Sequence, residues 1–260
     1  MDYTTLRYEV KNNVAVITFC RPERYNMFTV EVWEELLDCQ QRIIGDEEVR
    51  AVLICAEGKH FSSGIDMNML NSLPASVIRR LLAKYQQAYY GFSTLEVPVI
   101  AAIQGKCLGN AAELLLSCDL RMAAANAKFA FLEVKYAGIS PDFGGTAKLG
   151  KLIGIGRAKR LLLTGEVIDA EEAKNIGLIE YTVEPEKLLE EAFKLAQGIA
   201  AQPPLGVMAC KKGLELAQDG SVNAARLYEQ MQAAFCAASE DFHEAINASQ
   251  ERRMGKYYGK

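Results

Sequence analysis

The stretch VPVIAAIQGKCLGNAAELLLSCDLRMAAANAKFAFLEVKYAGISPDFGG, Val97 to Gly145, decides how the rest of this chain is read. It opens on an apolar run, Val97 to Ile103, too short for a buried helix and rich in β-branched residues, which predicts a buried strand. Gly105 and Gly109 punctuate a turn. Asn110 to Cys118 is apolar and free of Gly and Pro, which predicts a buried helix starting just after a glycine. Backbone N–H groups at such a start have no partner within the helix and can face a developing negative charge. One turn in stands Glu113, an acid in apolar company. A carboxylate there costs several kcal/mol, roughly, unless it is paired, protonated or wetted by a cavity. Glu133 follows a second apolar run, Lys128 to Leu132, and Asp142 sits in a Pro-Asp-Phe-Gly-Gly turn. Three acids therefore lie close to segments that read as buried, and one helix start faces the same region.

Working outward, 260 residues suffice for one large domain or one and a half with an ample core. Half the residues are hydrophobic and 24% are charged, as in ordinary globular proteins. The formal charge is −4 and no Lys/Arg block stands out, which argues against nucleic acid as the main partner. An anionic small ligand remains compatible through a local basic patch. Seven cysteines, most of them in apolar runs (Cys20, Cys55, Cys107, Cys118), fit buried free thiols in a reducing compartment better than disulfides. With no CxxC pair and only His60 and His243, no metal site is expected. The segment MDYTTLRYEV lacks a secretion-signal pattern and no run approaches a membrane span, so no membrane association and a cytoplasmic location are expected.

Along the chain, Leu6 to Val10 and Val14 to Cys20 predict a hairpin around Lys11-Asn12-Asn13. Thr29 is a candidate cap for a helix from Val30 to Ile44, and Ala51 to Ala56 predicts a buried strand. Gly58 to Gly64 reads as a loop, Ile65 to Leu70 as a short helix, and Ala75 to Leu95 as one long helix. Helical patterns recur at 149–153, 156–164, 169–175 and 185–201, with a strand at 180–183. Gln202-Pro203-Pro204 is the clearest boundary, followed by three helical segments at 205–216, 220–238 and 240–252. Strands alternating with helices, then helices alone, predict an α/β core over 1–201 and a helical region over 202–260.

Several motifs together resemble the crotonase superfamily, the enoyl-CoA hydratases and isomerases. They are FSSGID at 61–66, PVIAAIQG at 98–105, G-x-x-x-E at 109–113, CDLRMAAANAKFAFLEV at 118–134, GGTAKL at 144–149 and LLLTGEVIDAEEAKNIGLI at 161–179. The resemblance implies repeated ββα units wound as a spiral, with the C-terminal helices packing between subunits of a homotrimer or homohexamer. It implies an acyl-CoA thioester as substrate, no separate cofactor since coenzyme A is part of that substrate, and an enolate held by two backbone N–H donors. Those donors fall on Ile65 and Asn110. The family often has three glycines where this chain has Gly109-Asn110-Ala111, which leaves less room for the acyl group. Ser63, Asp66, Met67, Gly109 and Pro141 fall along the substrate path, and Arg24 is a candidate for a CoA phosphate. Lys256 and Lys260 are candidates for the same task toward a neighbour's CoA.

Glu113 and Glu133 match the two glutamates of the hydratases, the first activating water and the second donating the α-proton. Two acids in one dry pocket push their pKa values apart, which suits that division of labour. Alternatively, Glu113 pairs with a core arginine such as Arg121 and Glu133 lies on a solvated loop. Asp142 resembles the base of certain isomerases of the same family, or is a turn residue. The expected function is an enoyl-CoA hydratase. The alternatives are an enoyl- or dienoyl-CoA isomerase using Asp142 and Glu133, and, in another class, a non-catalytic acyl-CoA-binding or scaffold protein.

Overall fold

Asn12 and Asn13 carry φ of 52° and 61°, the left-handed values a two-residue hairpin turn needs and Asn tolerates. They join β1 (Leu6–Lys11) to β2 (Val14–Phe19), antiparallel from Leu6↔Phe19 to Lys11↔Val14. The computed structural model describes residues 3–260. Met1 and Asp2, the start of the segment read for an export signal, lie outside the described residues.

The hairpin is followed by α1 (Val30–Ile44), β3 (Ala51–Ala56), α2 (Met67–Asn71), α3 (Ala75–Tyr85) and α4 (Gln87–Thr94). Then come β4 (Val99–Ile103), β5 (Lys106–Leu108), α5 (Asn110–Leu115), β6 (Leu120–Ala124) and β7 (Lys128–Ala130). Beyond them lie α6 (Gly145–Ile153), α7 (Ile155–Thr164), β8 (Ile168–Asp169), α8 (Ala170–Asn175), β9 (Tyr181–Val183) and α9 (Leu188–Ala200). The helices α10 (Pro204–Asp219), α11 (Val222–Ala237) and α12 (Glu240–Glu251) complete the chain.

One sheet has the order β1-β2-β3-β4-β6-β9 and is parallel from β2 onward. A smaller sheet has the order β5-β7-β8. Each of β4 and β6 is followed by a short strand in the smaller sheet, so successive ββα units stack side by side. Both faces of the large sheet are covered, as parallel strands require. Leu188, Ala192, Ala196 and Ala200 of α9 cover one face, and α1, α4 and α5 lie in the main core on the other. Phe19, Phe28 and Phe61 are fully buried and in ring contact, with centroids 4.9 and 5.6 Å apart, and fix the base of the loop that follows Phe61. Burying each such ring contributes about 1.5–3 kcal/mol.

The hairpin, α1 and β3 lie where the sequence puts them. Three expectations need correction. The long helix over 75–95 is two helices meeting at Gln86, because α4 turns Tyr89 and Phe92 into the core while α3 lies over a cavity. The helix read to Cys118 stops at Leu115, because the Arg121 guanidinium takes the carbonyl oxygens of Leu115 (3.1 Å) and Cys118 (2.6 Å). Charged donors commonly satisfy the last carbonyls of a helix in this way. The strand read from Val97 begins at Val99, after Pro98, which has no N–H to give a ladder.

Candidate active site

Two loops lie side by side at the top of the sheets. Ser62 N–H donates to Lys106 O (3.1 Å) and Leu108 N–H donates to Ser62 O (3.1 Å). Gly64 has φ +90°, and a Cβ there would sit 2.5 Å from Leu108 O and 3.3 Å from Asn110 N. Only glycine allows this approach. Phe28 N–H donates to Gly64 O and Asp66 N–H donates to Phe28 O, which leaves Ile65 N–H turned away from that bridge. Asn110 is the first residue of α5 and its N–H has no partner inside the helix. Among the described residues neither Ile65 N–H nor Asn110 N–H donates to a protein acceptor. Two donors are therefore left without a protein acceptor on residues that line one cavity.

Glu113 is wholly buried. Its Oε1 accepts from Phe143 N–H (2.9 Å) and from Gly145 N–H (2.8 Å), at the start of α6, and its Oε2 accepts from Asn110 Nδ2 (3.4 Å). Arg121 is bonded instead to Glu180, at 2.6 Å, so the alternative of a Glu113–Arg121 pair is not what forms. Glu133 lies on a single π-helical turn, Glu133–Ala137, only 9% exposed, and its Oε2 is buried without a partner. Buried Glu35 makes the contrast: its two oxygens accept five bonds from Thr4, Thr5 and Leu6. A structural carboxylate is saturated in this way, whereas Glu133 keeps an oxygen open.

Burial raises Glu113 well above the ordinary carboxylate range, and the charge of Glu133 adds to it. The Gly145 and Phe143 N–H groups oppose the rise. Burial pushes Glu133 up to about 7, with Asp142 contributing, and pushes Asp142 itself up to about 6. Such neighbours titrate as a set rather than one by one.

Glu133 and Asp142 border a cavity of about 200 Å³ that also takes in Ser63, Gly64, Ile65, Gly109 and Asn110, while Glu113 lies behind that lining, bonded to the lining residues Asn110 and Phe143. Its walls are apolar and include Met67, Met69, Leu70, Leu81, Leu82, Ile139, Trp33 and Phe143. Ser63, Met67, Gly109 and Asp142 thus line one space, as the sequence reading groups them. Asp66 does not border it; its carboxylate caps α2 by accepting from Asn68 and Met69 N–H. Pro141 is buried beside Gly145 and borders the turn rather than the cavity. Arg24 is exposed on a 3₁₀ turn, Pro22–Arg24, whose following residues accept hydrogen bonds from Ser62 Oγ and Ser63 N–H. That loop leans on the cavity's rim. Lys256 and Lys260 lie in a tail folded on α12, tied to Glu244 and Asp241. Sequence reasoning missed Trp33, Leu81, Tyr136 and Phe143 as lining, since any apolar periodicity reads alike in core and cavity. Among the described residues no group of three or more His, Cys, Asp or Glu side chains is placed to hold a metal ion.

Buried, unequally satisfied carboxyls thus lie close to two backbone N–H groups that no protein acceptor takes. The sequence profile of the enoyl-CoA hydratase/isomerase family matches residues 9–260, and the chain belongs to that family. It is 35% identical, over the whole of both chains, to a crotonyl-CoA hydratase of Syntrophomonas wolfei. It is 29% identical to a mitochondrial Δ(3,5)-Δ(2,4)-dienoyl-CoA isomerase of Dictyostelium discoideum, over 97% of this chain and 91% of the other. An enoyl-CoA hydratase structure from Bacillus anthracis superposes with TM-score 0.95 at 30% identity, covering 99% of this chain and 100% of that one.

Proposed function

We propose that this protein adds water across the 2,3 double bond of a 2-enoyl-CoA thioester. The thioester oxygen sits between Ile65 and Asn110 N–H, where each donor lowers the barrier by ~3–4 kcal/mol. The apolar walls receive the acyl group. Burial raises both glutamates, but Glu113 has three donors on its oxygens where Glu133 Oε2 has none, so Glu113 is taken as the charged partner and draws a proton from water as the water oxygen bonds to C3. The double-bond pair moves to C2, the charge goes to the thioester oxygen, and Glu133 protonates C2. The observation that carries this reading is the buried, unpartnered Oε2 of Glu133, a residue that lines one cavity with Ile65 and Asn110.

The isomerase reading is favoured by one observation, the half-buried Asp142 carboxyl in that cavity. Asp142→Asn separates the two. Asp142 is charged above about pH 6 and raises Glu133. Its loss lets Glu133 ionise at lower pH, so the alkaline limb of hydration shifts downward while the optimum rate survives. Proton migration along a 3-enoyl- or dienoyl-CoA is lost in the same variant if Asp142 is its base. Hydration lost at every pH would instead assign the water chemistry to Asp142. A silent binding protein has no use for buried acids that oppose folding.

The substrate carries its own coenzyme A and no further cofactor enters. Residues 202–260 act as an oligomerisation region beyond the core of 1–201, in a homotrimer or homohexamer in the cytoplasm. Among the described residues no helix is long and apolar enough to cross a membrane. Leu214, Leu227, Met231 and Phe235 are 73, 56, 73 and 55% exposed on α10 and α11, and this exposed apolar surface supports the reading of an interface there. Light scattering at micromolar concentration is expected to give a trimer or hexamer; a monomer would remove this part.

A further inference from the structure

Asn110 stands where the resemblance has glycine, and its side chain is almost completely buried. An amide in that position needs partners at both ends. Its Oδ1 accepts from the Tyr89 hydroxyl and its Nδ2 donates to Glu113 Oε2, 3.4 Å away. Asn110 and Glu113 are three residues apart on α5 and so share a face. Tyr89 comes from α4, fully buried, its ring set against Phe143 (4.9 Å) and Phe28 (6.2 Å), so its hydroxyl has little choice of direction.

We infer that Tyr89 and Asn110 are positioning residues for Glu113: the tyrosine fixes the amide's orientation, and the amide fixes the carboxylate's free oxygen and favours its charged form. Glu113 Oε1 is already committed to two backbone N–H groups, so Oε2 is the oxygen left for water. A flipped amide would present its own oxygen to that carboxylate, and Tyr89 prevents this by donating to Oδ1. Burial keeps the Tyr89 hydroxyl protonated and therefore a donor. The other titratable groups facing Glu113 are Glu133 on the π-helical turn, Asp142 on the following loop and Tyr90 on α4. Lys148 lies beyond, over the Tyr90 ring at 4.4 Å.

The inference rests on Glu113 being the charged partner of the hydratase reading, yet its test does not depend on turnover. The Glu113 carboxyl of ¹³C-glutamate-labelled protein, assigned with Glu113→Gln, is titrated by NMR in wild type, Asn110→Ala, Tyr89→Phe and the double variant. Asn110→Ala keeps the backbone N–H and removes only the amide. It is expected to raise the Glu113 midpoint by about one pH unit, as loss of one donor to a carboxylate should. Tyr89→Phe is expected to raise it by a smaller amount, and to add nothing once Asn110 is alanine. The acid limb of kcat/KM for a 2-enoyl-CoA moves up in step, with KM little changed. An unmoved midpoint in either single variant, or equal Tyr89→Phe effects in both backgrounds, overturns the relay. Should Asn110→Ala not fold, Tyr89→Phe alone decides by moving the midpoint or leaving it. A wild type that fails to hydrate the ester sinks the hydratase reading and leaves the carboxyl titration to judge the relay.

Discussion

Glu133→Gln is expected to slow hydration of a 2-enoyl-CoA by about 10³- to 10⁴-fold, the upper part of what a positioned general acid supplies. Affinity for the CoA ester should stay within a few-fold, because the amide keeps the shape of the carboxyl and the N–H pair is untouched. Steady-state rates beside a binding titration separate the two effects. Retention of about a tenth of the rate would take Glu133 out of proton transfer. The same variant carries a stability signature. The folded-state value of Glu133 is raised to about 7, so its contribution to folding is complete below the ordinary carboxylate range and is lost as pH rises through 7. Glutamine does not titrate, so the variant should melt higher than wild type above pH 7 and lose that advantage in acid.

Gly145→Ala is the second large effect. A Cβ there would lie 2.5 Å from Pro141 Cβ and 3.0 Å from Glu113 Oε1, so the start of α6 must move. That start carries the N–H held 2.8 Å from Glu113. Misplacing a catalytic carboxylate by about 1 Å costs on the order of 10²-fold in rate. Gly156→Ala, with nothing within 4 Å of the added methyl, is the control and should be neutral. Equal rates in both variants would mean that the α6 start does not orient Glu113.

Much of this arrangement is legible in the residues. The hairpin, α1 and β3 announce themselves through alternation, helical periodicity and short β-branched runs, although Thr29 at the cap of α1 makes no side-chain capping bond. Glu113 stands out because an acid in an apolar helix must be accounted for. What stays hidden depends on distant partners. Nothing local says that α5 ends where Arg121 reaches back to it, or that α3 and α4 divide at Gln86. The strands β5 and β7 are three residues each, too short to show a period, and form only because Lys106 to Leu108 finds Lys128 to Ala130. Nothing in FSSGID alone announces that the Asp66 carboxylate caps α2, which only the fold shows. Tyr89 reads as one more core aromatic until α4 brings its hydroxyl to Asn110.

Incubation of the purified protein with a 2-enoyl-CoA in ¹⁸O-water, with the product read by mass spectrometry, tests the central claim most directly. The account predicts a product heavier by one labelled water, with the label on C3 and a proton on C2. Turnover to an isomer of unchanged mass, with no labelled adduct across enoyl-, 3-enoyl- and dienoyl-CoA esters, would contradict it.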